Sequence, residues 1–249
     1  MNNMALALTF SLVIIALMIS YRQNLGMERD MIIGSIRAVV QLTVVGFILK
    51  FVFNMDSTPL TMIILCLMVY NAAAVAAKRG AGITHAKRIS FGAILVGLTI
   101  TLGCLLAFQA ISFKPSEVIP VSGMVVGNSM VALGLLYRNL ISTFKDRREE
   151  VEVKLCLGAR PREASRVLIR ESIRTAMIPT IDSMKTLGIV QLPGMMTGLI
   201  LAGTPPELAI KYQIMVMFML TGAVTISGFV ASFWAYRSFF TDKAQLVGE

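Results

Sequence analysis

The chain has 249 residues, of which 56% are hydrophobic and only 15% charged, and its mean hydropathy is +0.75. Soluble domains carry about 25% charged residues, so this composition excludes an ordinary soluble domain. The formal net charge of +9 does not indicate nucleic-acid binding, because the basic residues separate apolar runs and no aromatic residues interleave with them.

Seven apolar segments have the roughly 17–25 residues that cross a hydrocarbon core as a helix. The first is Met4–Ser20. It reads as a span and not a cleavable signal, since residues 1–3 carry no Lys or Arg and no small-residue cleavage pattern follows. The second, Met31–Phe53, contains Arg37 and Gln41 on one helix face, and the third, Leu60–Ala77, contains Asn71. Ile89–Phe113 is the fourth. Val118–Tyr137, the fifth, carries Asn128, Pro120 and a Gly123-x-x-x-Gly127 pair suited to close helix approach.

Residues 138–185 follow as a basic loop holding 11 of the 23 Lys and Arg residues. Within it, Glu149, Glu150 and Glu152 open a first helix that ends at Gly158-Ala159-Arg160-Pro161, the usual glycine-then-proline punctuation. A second helix spaces Arg162, Arg166, Arg170 and Arg174 at four-residue intervals, a basic stripe beside an apolar row of Ile169, Ile173 and Met177. The stripe is suited either to lie against anionic lipid headgroups or, as the Glu-rich first helix favours, to dock an acidic partner. Asp182 and Lys185, three residues apart, close the loop. The sixth segment is Thr186–Gly203, with Gly194-x-x-x-Gly198, and the seventh is Tyr212–Tyr236. Pro179 and Pro193 are placed to break or kink the chain around Ile178–Gly198, as a moving gate or a static kink. The predicted fold class is therefore all-α, a polytopic helical membrane protein forming one helical membrane domain over residues 1–249.

Lys and Arg concentrate in alternate loops, at 21–30, 78–88, 138–185 and 237–249, while the intervening loops hold only Lys50, Lys114 and Lys211. The positive-inside bias places the N-terminus outside and the C-terminus and the 138–185 loop in the cytoplasm of a cell membrane. Ionisable groups at membrane depth cost about 2.5–3.5 kcal/mol at a helix centre. Arg37, Gln41, Asn71, Asn128 and Asp182 are thus candidates to line or gate a polar path. The alternative for the amides is helix-to-helix hydrogen bonding, worth about 0.6 kcal/mol each. Cys66, Cys104 and Cys156 are isolated and read as small buried hydrophobes, and no residues are assigned to metal binding. No Gly-x-x-x-x-Gly-Lys-Ser/Thr occurs, so the chain has no P-loop for nucleotide phosphates.

Glu152 followed six residues later by Gly158-Ala159 resembles the coupling loop of ATP-binding-cassette permeases, with Val153 and Lys154 where that pattern has two alanines. More widely, the chain resembles the FetB-type iron-export permease family. The resemblance is carried by Arg37-Ala38, Gln41-Leu42, Tyr70–Ala73, Val118–Met124, Gly127-Asn128, Lys154–Ala159, Ile178–Ser183, Leu192–Ile200 and Ala209–Val216. It implies a membrane subunit, not itself an enzyme, paired with a separate ATPase that uses ATP and Mg. In that setting Glu152, Gly158 and Ala159 match the coupling loop, and the stripe of Arg162, Arg166, Arg170 and Arg174 is the docking surface its own spacing suggests for the ATPase. The cargo it implies is iron moved outward; a sugar nucleotide as cargo, or a secondary transporter, are the alternatives. Seven spans are few for one pathway, which points to a homodimer of the permease. No cofactor is expected on this chain.

Overall fold

The computed structural model describes residues 3–55, 57–241 and 243–247, and it divides into two compact units, Met1–Ser57 and Thr58–Glu249. The first unit is a helical hairpin of α1 (Asn3–Arg22) and α2 (Glu28–Met55). Gly26 turns the chain at φ 68°, and the Ser20 hydroxyl donates to the Glu28 carboxylate at 2.7 Å, tying the end of α1 to the first residue of α2.

The second unit is built from α3 (Thr58–Arg79), α4 (Ala86–Ala107), α5 (Pro115–Asp146), α6 (Arg148–Cys156), α7 (Pro161–Ala164), α8 (Arg166–Thr186), α9 (Gly194–Leu201) and α10 (Pro206–Ala235). Local chemistry sets most boundaries. Proline starts α5, α7 and α10, where its missing N–H costs nothing. Lys78 and Arg79 end α3 against the negative end of its dipole. Gly158, at φ 89°, closes α6 while its N–H and that of Ala159 reach back to Leu155 and Lys154.

Five helices are long and apolar enough to cross a membrane: α2, α3, α4, α5 and α10 with its 3₁₀ extension to Phe239. The α1 segment Leu8–Arg22 is a shorter apolar helix. The expected sixth segment, Thr186–Gly203, is not one helix. The chain leaves α8 at Thr186, makes a tight turn in which Leu187 bridges Gln191 around Gly188 at φ 79°, and re-enters a helix only at Pro193. At eight residues, α9 spans about 12 Å, too short to cross alone. Gly188 and Pro193 break the helix inside this apolar segment, within the Ile178–Gly198 stretch where Pro193 is expected to interrupt it.

The second helix of the basic loop also differs from expectation. It begins at Arg166, because the chain kinks at Ser165, and it runs on to Thr186 packed against α5 and α10. Leu168, Ser172 and Ala176 are fully buried there. Residues facing one another fix its direction. Arg147, at the end of α5, pairs with Glu171 near the start of α8, whereas Asn128, further back on α5, shares a cleft with Thr180 and Ser183. The three helices therefore run antiparallel in turn, α8 wedged between the other two.

Small residues make the close seams. A Cβ on Gly97 of α4 would collide with Ser227 and the Ala223 carbonyl of α10, and one on Gly92 would meet the Trp234 ring. In contrast, Gly127, Gly194 and Gly198 face open space, and Gly123 meets only Met68. The tight packing lies at α4–α10, and at α3–α5 where a Cβ on Gly134 would meet Arg79, and not on the glycine pairs of the fifth and sixth segments. Hydroxyls add directed contacts inside the bundle: Ser90 with the Tyr137 phenol at 2.9 Å, and Ser227 with Ser129 at 3.3 Å. All three cysteines are exposed, contrary to the buried role expected of them. Beyond α10, Phe239 stacks on Phe144 with ring centroids 4.1 Å apart, and the Arg148 guanidinium donates to the Val247 carbonyl at 3.3 Å. The tail is thereby tied to the α5–α6 junction.

The glycine seam gives a direct test. Gly97→Leu should destabilise the second unit by about 1–3 kcal/mol through overpacking. Gly127→Leu, in open space, should change it by much less, and thermal unfolding of both variants in detergent compares them.

Candidate functional site, a polar cleft and a basic elbow

The wedge of α8 between α5 and α10 leaves a cleft of about 270 Å³ near the end of α8. Asn128 and Val131 contribute from α5; Pro179, Thr180, Ser183 and Met184 from α8; Gln191 and Pro193 from the turn; and Gln213 and Met217 from α10. The polar groups are uncharged amides and hydroxyls. Asn128 spends one amide proton on the Met124 carbonyl one turn earlier, at 2.8 Å. The Oε1 of Gln213 is buried and has no hydrogen-bond partner among the described residues. A buried acceptor left unpaired costs about 1–3 kcal/mol, so this oxygen is set to receive a donor or cation entering the cleft. Gln213 also borders a neighbouring apolar cavity of about 410 Å³ that adds Met196 to Met184 and Met217. The Met184 sulfur already accepts the Thr221 hydroxyl at 3.1 Å, which fixes the α8–α10 spacing here. No group of three or more His, Cys, Asp or Glu residues positioned to hold a metal occurs among the described residues.

Of the residues expected to line a polar path, Asn128 lies in this cleft. Asn71 is exposed on α3 and outside its lining, next to Tyr70, whose hydroxyl accepts from Lys87 at 2.7 Å. Asp182 is exposed on α8, also outside the lining, and pairs with Lys185 at 3.3 Å. Arg37 and Gln41 sit exposed, one turn apart on α2 in the first unit. Gln213 was missed by sequence reasoning. Its signal was available, a lone amide in an apolar run comparable to Gln41, but it stood at the edge of the seventh segment.

At the other end of α8, residues 147–165 form an elbow. Arg147 joins Glu150 at 2.6 Å and Glu171 at 2.9 Å, Lys154 joins Glu150 at 2.6 Å, and Arg148 joins Glu152 at 2.8 Å. Lys154 first, and then Arg147, hold the Glu150 carboxyl below the usual carboxylate range. Glu150 and then Glu171 push the Arg147 guanidinium above its ordinary value. The glutamates that open α6 thus brace the elbow internally. Its tip is apolar: Leu157 is 82% exposed and Val153 58%, beside Gly158 and Ala159. The arginine stripe is split by the kink at Ser165, with Arg162 on α7 and Arg166, Arg170 and Arg174 on α8. Arg162 lies over the Phe233 ring, 4.8 Å from its centroid.

Lipid-length helices carrying a polar cleft between them define a multi-pass helical membrane protein. Residues 3–240 match the family described as uncharacterised protein family UPF0014, and the chain belongs to that family. It is 46% identical over 246 residues to the probable iron export permease protein FetB of Escherichia coli (strain K12), covering 99% of this chain and 95% of that one. It is 39% identical to the UPF0014 membrane protein STAR2 of Oryza sativa subsp. japonica, covering 95% of this chain and 83% of the relative. It is also 37% identical to the protein ALUMINUM SENSITIVE 3 of Arabidopsis thaliana, covering 94% and 86% respectively. No solved structure matches the chain.

The unpaired amide yields a second test. Gln213→Leu removes a buried acceptor with no partner, so the thermal midpoint should hold or rise, while cargo flux should fall roughly tenfold, the size of one lost hydrogen bond of about 1–1.5 kcal/mol.

Proposed function

We propose that this chain is the membrane-spanning permease subunit of an ATP-binding-cassette transporter, exporting iron with a separate ATPase that binds ATP and Mg. The observation that carries the reading is the form of α8, a helix of 21 residues and about 31 Å with the elbow at one end and the polar cleft near the other. Motion imposed at the elbow reaches the cleft along this helix, whose interior Pro179 lies at the cleft itself. The name of the Escherichia coli relative supports iron as cargo and export as direction.

In this reading the ATPase receives the elbow tip, with Leu157 and Val153 entering a groove on the partner beside Gly158 and Ala159. Glu152 and Arg148 stiffen the helix that presents them, and Arg174 supplies an exposed charge on α8. The chain crosses the membrane seven times, N-terminus outside, with α8, the 187–193 turn and α9 together making the sixth crossing as a broken element. Such interruptions are tolerated where they line a cavity and not lipid. Cargo moves along the cleft past Asn128 and Gln213; Arg37, Gln41, Asn71 and Asp182, which lie outside its lining, are further candidates to line or gate a polar path. Two copies of the 249-residue permease domain assemble with two ATPase subunits.

A second reading follows from the neutral character of the cleft. Amides, hydroxyls and thioethers are weak partners for a bare ferrous ion, which prefers carboxylate or imidazole ligands. They suit a cargo with hydrogen-bonding groups of its own, either a chelated metal or a sugar nucleotide.

Flux into proteoliposomes containing the chain and its ATPase, comparing ferrous iron, chelated iron and a sugar nucleotide, decides between the cargoes. ATP-dependent movement of iron is expected, with Arg37→Leu abolishing it while leaving the complex intact on native mass measurement. Uphill transport by the chain without an ATPase would overturn the assignment.

A further inference from the structure

Arg160, Arg162, Arg166 and Arg170 border a groove of about 520 Å³ whose opposite wall is the final turns of α10. One carboxylate, that of Glu163, shares the lining, and it already accepts the Arg160 backbone N–H at 3.1 Å. Among the described residues none of the four guanidinium groups makes an ion pair. Arg147 and Arg148, a few positions earlier, are both neutralised by glutamates. Four like charges around one groove repel each other unless an anion enters, and guanidinium groups are suited to grip phosphate bidentately.

The surroundings identify the kind of anion. The far wall presents Phe229, Phe233 and Tyr236, so the groove pairs a cationic rim with an aromatic floor. Phe233 lies under Arg162 and holds that guanidinium at the wall, 4.8 Å from the ring centroid. These turns end a lipid-length helix, where Phe229 is 59% exposed and Trp234 42%. Exposed aromatic residues at the end of a span mark the headgroup level of a bilayer. We propose that this groove is a binding site for the phosphate headgroup of an anionic glycerophospholipid, with the acyl chains lying along Phe229. An acidic segment of a protein partner fits less well, because the floor is apolar and continuous with the lipid-facing end of α10. The site depends on α10 crossing the membrane and not on the cargo or on the ATPase.

The test uses the full chain in lipid nanodiscs and in detergent. Native mass spectrometry should show retention of phosphatidylglycerol over phosphatidylcholine. Arg166→Gln with Arg170→Gln should weaken that preference roughly 30-fold, at about 1 kcal/mol per basic residue near an anionic surface. Arg166→Lys with Arg170→Lys should keep most of it. Arg174→Gln, on the same helix but outside the groove, should leave it unchanged. In the unaltered protein, phosphatidylglycerol should slow hydrogen exchange at residues 160–173 and 229–236, a readout that needs no variant. Equal retention of the two lipids, an equal loss in Arg174→Gln, or a double glutamine variant that keeps its lipid preference but loses the ATPase would each overturn the proposal.

Discussion

The second unit depends on the wedging of α8 between α5 and α10. Its buried face is made of Leu168, Ser172 and Ala176, narrow enough for the helix to sit deep between its neighbours. In lipid there is little hydrophobic gain in bringing helices together, so association rests on dispersion contacts, a few hydrogen bonds and small side chains. Ala223, Ala231 and Ala235 on α10, with Ala132 on α5, continue that economy of size. Where larger or polar residues replace small ones, at Gln213, Met217 and Asn128, the helices no longer close and the cleft opens. Packing and site are two consequences of one distribution of side-chain volume.

The same distribution separates two kinds of charge. Around α6, carboxylates and cations alternate at three- and four-residue spacing and cancel one another locally. On α7 and the start of α8 the glutamates thin out and the arginines gather against aromatic rings. The elbow is consequently rigid and internally neutralised at its base, apolar at its tip, and electropositive on the side facing α10. Each surface suits a different kind of neighbour.

Much of this was legible beforehand. Length and apolarity located α1 through α5 and α10, because a hydrocarbon-length run with few charges has few other solutions. The Gly158–Pro161 break and the Asp182–Lys185 pair were visible in spacing alone. The path of α8 was not. The apolar row of Ile169, Ile173 and Met177 marks a face that does pack on the core, but the depth to which Leu168, Ser172 and Ala176 are buried comes from tertiary packing. The interruption near Pro193 is signalled by that proline within Ile178–Gly198, but the turn at Gly188 is not, since averaged hydropathy does not register turns. Asn128 was found because it stands alone in an apolar run. Gln213 escaped because it stands at a segment edge, and its unpaired oxygen is a property of the fold that spacing cannot convey.

The stacking of Phe239 on Phe144 and the bond from Arg148 to the Val247 carbonyl carry one more consequence. Together with the α4–α10 and α5–α8 seams, they stitch the two halves on either side of Gly158 to each other without using the peptide link at that point. A protease that severed the polypeptide at the protruding Leu157 would therefore leave two pieces still clasped, and the same position is where the molecule would tolerate being expressed as separate fragments.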